Sequence, residues 1–295
     1  MDIIDAHHHI WRQQDLPWLI GPMVPRVFGS SYEAIRRDYP ISEYIGDVAG
    51  SGVVKSVYVQ ANWPPDRAGD EAAYVQAAAD ESGFPNAIVG FADLMSDDVR
   101  PTLDQLAGYP LMRGIRMQIH WHENRLLTRA PVPNLPDDPL FRKNYAALAD
   151  YDMSFELQVF ASQMECAARL AADFSETTLI LQHCGMPDGL SEEGMAAWRT
   201  GMQHLAAQPN VVAKLSGLGT FVHKNDPDHI ARIGQETVGI FGPPRCLYGS
   251  NFPIEKLWTT YPALIGAYRD AFAGYPPEAQ ADIFYNTAER VYRLA

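Results

Sequence analysis

Short runs of β-branched and aliphatic residues alternate along the chain with segments whose apolar positions recur at helical spacing. The β-rich runs fall at 3–7, 53–60, 87–92, 114–119, 155–160, 178–183, 211–216 and 246–249, eight in all. Between them, 72–81, 140–150, 164–173, 192–206 and 228–238 carry the apolar stripe of an amphipathic helix. Eight strand–helix units in succession predict an α/β chain folded as one closed parallel (β/α)8 barrel, the TIM-barrel arrangement, with 1–295 as a single domain. An open doubly wound sheet is the competing layout, but no Gly-x-Gly-x-x-Gly turn follows any of the strands. Two connections are long: 12–41 after strand 1, and 120–139 after strand 4, the latter broken by Pro131, Pro133, Pro136 and Pro139. Loops of that length in a compact domain are functional or mobile, and both are expected to cover the mouth of the barrel. The tail from Pro276 reads as a polar start followed by a terminal helix that closes against the barrel.

The first strand carries the clearest chemistry. It runs Asp2-Ile3-Ile4-Asp5-Ala6 straight into His7-His8-His9. Strict alternation puts Ile3, Asp5, His7 and His9 on one face and Ile4, Ala6, His8 and Ile10 on the other, so two imidazoles converge on one point. A His-x-His pair at a strand end holds a divalent metal or polarises a substrate oxygen. The apolar strand that leads into the run argues against an expression tag. Barrel enzymes build their sites at the C-terminal ends of strands. That rim is predicted to collect Gln60 and Asn62 after strand 2, His120 and His122 after strand 4, Gln158 in strand 5, His183 at the end of strand 6 and Asn251 after strand 8. His204 and His229 fall in helical segments and read as structural. Arg116 shares a face with Gln118, His120 and His122, and an arginine there suits bidentate recognition of a carboxylate; pairing with an acid of the barrel is the equal alternative. Trp18, Trp63 and Trp121 lie in loops that could wall a pocket, and Glu156 and Lys214, inside strands, could form an ion pair.

Composition narrows the partners. The chain has 295 residues, 47% apolar and 20% charged, and a net charge of −13 that repels nucleic acid and anionic membrane surfaces. An anionic small-molecule substrate would therefore need local cations. No apolar run approaches the ~18–20 residues of a membrane span, and no basic, apolar leader precedes the first strand. The three cysteines, Cys166, Cys184 and Cys246, have no C-x-x-C spacing and build neither a disulfide framework nor a zinc knuckle, which fits a reducing cytoplasm. Homo-oligomer formation stays open.

Taken in order, Ile4-Asp-Ala-His-His-His-Ile-Trp11, Tyr58-Val-Gln-Ala-Asn62, Gly90-Phe-Ala-Asp-Leu94, Arg113-Gly-Ile-Arg116, Leu181-Gln-His-Cys-Gly-Met-Pro187, Ala213-Lys-Leu-Ser-Gly217 and Tyr248-Gly-Ser-Asn-Phe-Pro253 give a chain that resembles the amidohydrolase superfamily. Within it, the likeness is to the branch containing sugar lactonases and 2-pyrone-4,6-dicarboxylate lactonase. The resemblance implies a hydrolase that opens a lactone with activated water. Carried over, His7, His9, His183 and Asn251 would be the catalytic positions; Gln60, Arg116, His120, His122, Gln158, Trp63 and Glu255, read from their places at the rim and in its loops, are the substrate-binding candidates. Three neutral nitrogens from His7, His9 and His183 imply at most one divalent ion, zinc first among candidates, held weakly or dispensably. A metal-dependent decarboxylase and a non-catalytic ligand-binding relative are the alternatives. The chain departs from the resemblance at Asn251, where relatives carry an aspartate. An amide has no useful basicity near neutral pH. A different base, Glu255 or Glu123, a metal hydroxide, or loss of hydrolysis are the accounts open to it.

Overall fold

The computed structural model describes residues 1–294. Eight parallel strands stand side by side in sequence order: β1 Ile3–His8, β2 Val53–Val59, β3 Ala87–Gly90, β4 Met112–Ile115, β5 Ser154–Leu157, β6 Leu179–Leu181, β7 Val211–Leu215 and β8 Cys246–Tyr248. The ring closes beyond β8, where Asn251 N donates to His7 O at 2.7 Å and His9 N to Phe252 O at 2.8 Å. Gly249 lets the two ends approach: a Cβ there would lie 2.7 Å from His7 Cβ and 3.0 Å from His7 N. The open-sheet alternative is thereby excluded. Each strand is followed by a helix, α1 Ile41–Val48, α2 Ala68–Ser82, α3 Arg100–Ala107, α4 Pro139–Ala146, α5 Met164–Asp173, α6 Glu192–Ala206, α7 Pro227–Phe241 and α8 Tyr261–Phe272.

Alternate strand residues serve two cores. Ile4, Ala6, Val57, Val59, Ala87, Val89, Ile180, Val212 and Leu247 pack inside the ring, joined by Tyr292 and Leu294 of the C-terminal segment. Their neighbours face outward and bury the apolar stripes of the helices. The single terminal helix read from the sequence arrives in three pieces, Pro277–Ala281, a π-helical turn Asp282–Asn286, and Thr287–Tyr292. Glu156 and Lys214 do form an ion pair: Lys214 Nζ lies 2.8 and 2.9 Å from the two carboxylate oxygens, both side chains fully buried, and Gln182 and the Tyr292 hydroxyl also donate to Glu156.

Strict alternation fails in β1. The pairing register with β2 shifts between Asp5 and His8, as an extra residue in one strand does at a β-bulge. Asp5 therefore does not share a face with His7 and His9, nor does His8 share one with Ile4 and Ala6. Asp5 and His8 both turn outward to α1, while His7 and His9 turn to the barrel axis. The Asp5 carboxylate accepts from Tyr44 Oη (2.9 Å), Tyr261 Oη (3.1 Å) and Ser250 N (2.7 Å), tying β1 to α1, α8 and the turn after β8. The His8 ring stacks on Tyr44 at 3.9 Å with Nε2 3.0 Å from Ser56 Oγ.

Candidate active site

The C-terminal rim gathers His7, His9 and His183. Ring centroids are 5.1 Å apart for His7 and His9 and 4.8 Å for His7 and His183. His9 Nδ1 sits 2.6 Å from Val59 O, which has no hydrogen to give, so Nδ1 carries the proton and Nε2 keeps a bare lone pair. His183 Nδ1 is held 2.8 Å from Ser216 Oγ. Its backbone is in the left-handed region, φ 53°, and Gly217 makes room: a Cβ at Gly217 would fall 2.5 Å from His183 Nδ1. Both ring nitrogens of His7 are buried without a hydrogen-bond partner. Unpartnered buried polar atoms are costly, and clustered at one point they mark a place for a ligand. Burial lowers the pKa of all three, His183 to about 3 with Arg116 adding to the effect, so each is neutral at pH 7. Neutral imidazoles are the right donors for a divalent ion. Among the described residues, however, no group of three His, Cys, Asp or Glu side chains is disposed as a closed metal cluster.

Above these rings lies a cavity whose cations are unpaired. Arg116 is 3% exposed, donates through Nη2 to Gln60 O and through Nη1 to Gln182 Oε1 at 3.4 Å, and leaves Nε buried with no partner. Desolvation brings its pKa down to about 10, still charged at neutral pH. Arg26, lying over the Trp18 ring at 5.3 Å, and Arg129 also line the cavity. Among the described residues none of the three joins a salt bridge, and no Asp or Glu is in the wall. Arg26 comes from the long connection after β1 and Arg129 from that after β4, so both loops do reach the mouth.

Asn251 also lines the cavity, in the left-handed region at φ 58°. Its Nδ2 donates to Thr220 Oγ1 at 3.3 Å, and Thr220 Oγ1 donates to Glu255 Oε1 at 3.0 Å. Glu255 is 1% exposed and stands behind the wall; burial pushes its pKa up to about 7 against the opposing pull of Thr220 and Asn251.

Residues 4–294 match the family model described as amidohydrolase. The chain belongs to the amidohydrolase family. It is a hydrolase. It is 34% identical to the uncharacterized protein y4mH of Sinorhizobium fredii over 99% of this chain and 98% of the relative. An L-fucono-1,5-lactonase of Burkholderia ambifaria is 28% identical, covering 99% of this chain and 95% of its own. A Burkholderia multivorans amidohydrolase crystallised with bound zinc superposes with a TM-score of 0.84 at 25% identity, over the full length of both chains.

Against the positions expected from sequence, His9, His183, Asn251, Arg116, His120 and Gln158 line the cavity, with His7 beneath them. Others stand elsewhere. Gln60 is buried off the wall, its carbonyl accepting from Arg116 and its side chain from Asn62 N. His122 pairs with Asp188 at 2.8 Å and packs on Phe160. Trp63 is outside the cavity, against Tyr74 with Arg12 and Arg67 over its ring; Trp121 is also off the wall, whereas Trp18 is on it. Glu123 is exposed on the loop. Arg26, Arg129 and Thr220 escaped the sequence reading: loops have no periodicity to orient a side chain, and the one signal for the two arginines was their position in long loops of an acidic chain.

Proposed function

We propose that this hydrolase opens a lactone or related cyclic ester that carries at least one carboxylate, with the acid derived from a sugar or from an aromatic ring. The observation that carries this reading is the cavity's three guanidinium groups without acidic partners, set over three neutral imidazoles. Arg116 is a buried cation, which is costly unless something brings it an anion; Arg26 and Arg129, nearer solvent at the mouth, add local positive charge in a protein of net charge −13 that otherwise repels one. The lactone activity named for the similar Burkholderia ambifaria protein supports the reaction class.

In this reading Arg116 fixes a substrate carboxylate or carries the developing oxyanion. His9 cannot donate to that oxyanion, since its only free atom is a lone pair. It accepts a hydrogen bond from water or ligates. One divalent ion, of which the zinc in the similar Burkholderia multivorans structure is a precedent, would be held by His7, His9 and His183. When bound, such an ion polarises a carbonyl and acidifies water. Gln158 and His120 line the cavity where the substrate's ring would lie.

The test is a proton-release screen of carboxylated lactones beside neutral aldonolactones on protein of known metal content. Carboxylated rings are expected to give kcat/KM at least tenfold above neutral rings of the same size, the scale of one charge-assisted hydrogen bond. Preference for the neutral ring would remove the anionic substrate; no lactone opened at all would remove the lactonase reading.

A further inference from the structure

Among the described residues the cavity wall contains no carboxylate, so a water bound there has no acid side chain in the wall to take its proton directly. One carboxylate is nevertheless connected to the wall. Thr220 and Asn251 face the cavity, Asn251 Nδ2 donates to Thr220 Oγ1, and the Thr220 hydroxyl donates inward to Glu255 Oε1. The direction of these bonds matters: Thr220 Oγ1 retains a second lone pair that can accept from a water in the cavity. Glu255 Oε2, in contrast, is buried with no partner. Oε2 packs against Gly219, where a Cβ would collide with it, so the one side-chain hydroxyl that reaches this carboxylate is the one facing the cavity.

Resting on the lactonase reading above, we propose that Glu255 receives the proton of the attacking water through the Thr220 hydroxyl, with Asn251 fixing that hydroxyl in place. As the water oxygen forms its bond to the lactone carbonyl carbon, the water proton passes to Thr220 Oγ1 and the threonine's own proton passes to Glu255 Oε1. The carbonyl electron pair moves to oxygen. Its return breaks the ring C–O bond, and the departing ring oxygen takes the proton back along the same two groups. Water is consumed and a hydroxy acid formed, with Thr220 and Glu255 unchanged. Glu255 acts through Thr220 and is a positioning and proton-holding residue behind the wall.

Its surroundings suit the task. The titratable groups facing it are the phenols of Tyr248 on β8 and Tyr268 on α8, both kept neutral by burial. Lys256, next in the chain, is turned away onto Glu43 and Asp47, and Lys224 pairs with Asp226. No salt bridge reaches Glu255 among the described residues. Desolvation, with no cation to oppose it, leaves the carboxyl poised near neutral pH, where it can both take and return a proton.

Glu255→Gln and Thr220→Val, each checked for an unchanged melting temperature, are to be compared with wild type on a lactone it turns over. Both variants are expected to lose on the order of 10²- to 10⁴-fold in kcat with KM nearly constant, and in Glu255→Gln the acid limb of the pH profile near 7 should vanish. Thr220→Ser should restore most of the rate, and the double variant should be no slower than either single. A folded Glu255→Gln with wild-type rate and pH profile overturns the relay, as does Thr220→Val with wild-type rate or a multiplicative loss in the double. Should Glu255→Gln not fold, Thr220→Val against Thr220→Ser decides alone. Wild-type protein that opens no lactone overturns the relay together with the lactonase reading, whereas turnover with unaffected variants overturns the relay only.

Discussion

Arg116 is a charge almost wholly removed from water, and every acceptor it has found is neutral. If its missing partner is the substrate carboxylate, Arg116→Ala is expected to raise KM roughly 10- to 150-fold with kcat little changed, a charge-assisted contact being worth about 1.5–3 kcal/mol. Unaltered KM in a folded variant would leave Arg116 as a brace for the Gln60 carbonyl. Asn251→Asp, nearly equal in volume, places a second carboxylate beside Thr220. Like charges resist joint ionisation, so the acid limb of the rate profile is expected to move to higher pH; an identical profile would take residue 251 out of the chemistry. Of these groups, the histidines, Asn251 and Arg116 were legible in the sequence because strands deliver their end residues to one rim. Thr220 was not: it sits in a one-turn helix, Gly219–Val222, that follows β7 without any pattern to orient it.

At the scale of elements, all eight strands were legible from their apolar runs, yet several end earlier than their runs predict. Gln60, Gln158, His183 and Ser216 lie past the ends of β2, β5, β6 and β7, where the backbone leaves the ladder to aim them. The bulge in β1 was not legible, since a period of two read along one strand cannot reveal an extra residue that only the partner strand exposes. Another joint illustrates how helices fix the rim. Glu71, in the first turn of α2, accepts from Ala61 N at 2.6 Å and from Tyr58 Oη at 2.8 Å, so α2 grips the end of β2. Burial raises its pKa from 4.5 to about 7. The folded state then binds this proton more tightly than the unfolded state, and the stability so gained, complete below pH 4.5, is lost as pH rises to 7. Relative to Glu71→Gln, wild type is expected to lose on the order of 3 kcal/mol over that interval, measured by urea unfolding at pH 5 and pH 8. A constant difference between the two proteins would mean that Glu71 ionises freely.

For the molecule as a whole, the buried Glu156–Lys214 pair joins β5 to β7 across β6 and meets the C-terminal segment at Tyr292. Glu156→Gln strands Lys214 inside the barrel and is expected to cost about 3–5 kcal/mol, while Glu156→Gln with Lys214→Met should recover much of it; equal stabilities for single and double variants in chemical denaturation would show that the pair is not coupled. Metal content is likewise a property of the whole chain. Elemental analysis is expected to find no more than one divalent ion per protein, since His7, His9 and His183 converge as three imidazoles with no carboxylate in the wall among the described residues, and two tightly held ions would refute that reading. The arginines leave a different mark. His7, His9 and His183 belong to strands and to the turns that extend them, where any shift disturbs the closed ring, whereas Arg26 and Arg129 ride on the two long connections. Selection can thus redraft the clientele of this barrel by rewriting loops, one insertion or exchanged arginine at a time, without reopening the question of how the ring is held together.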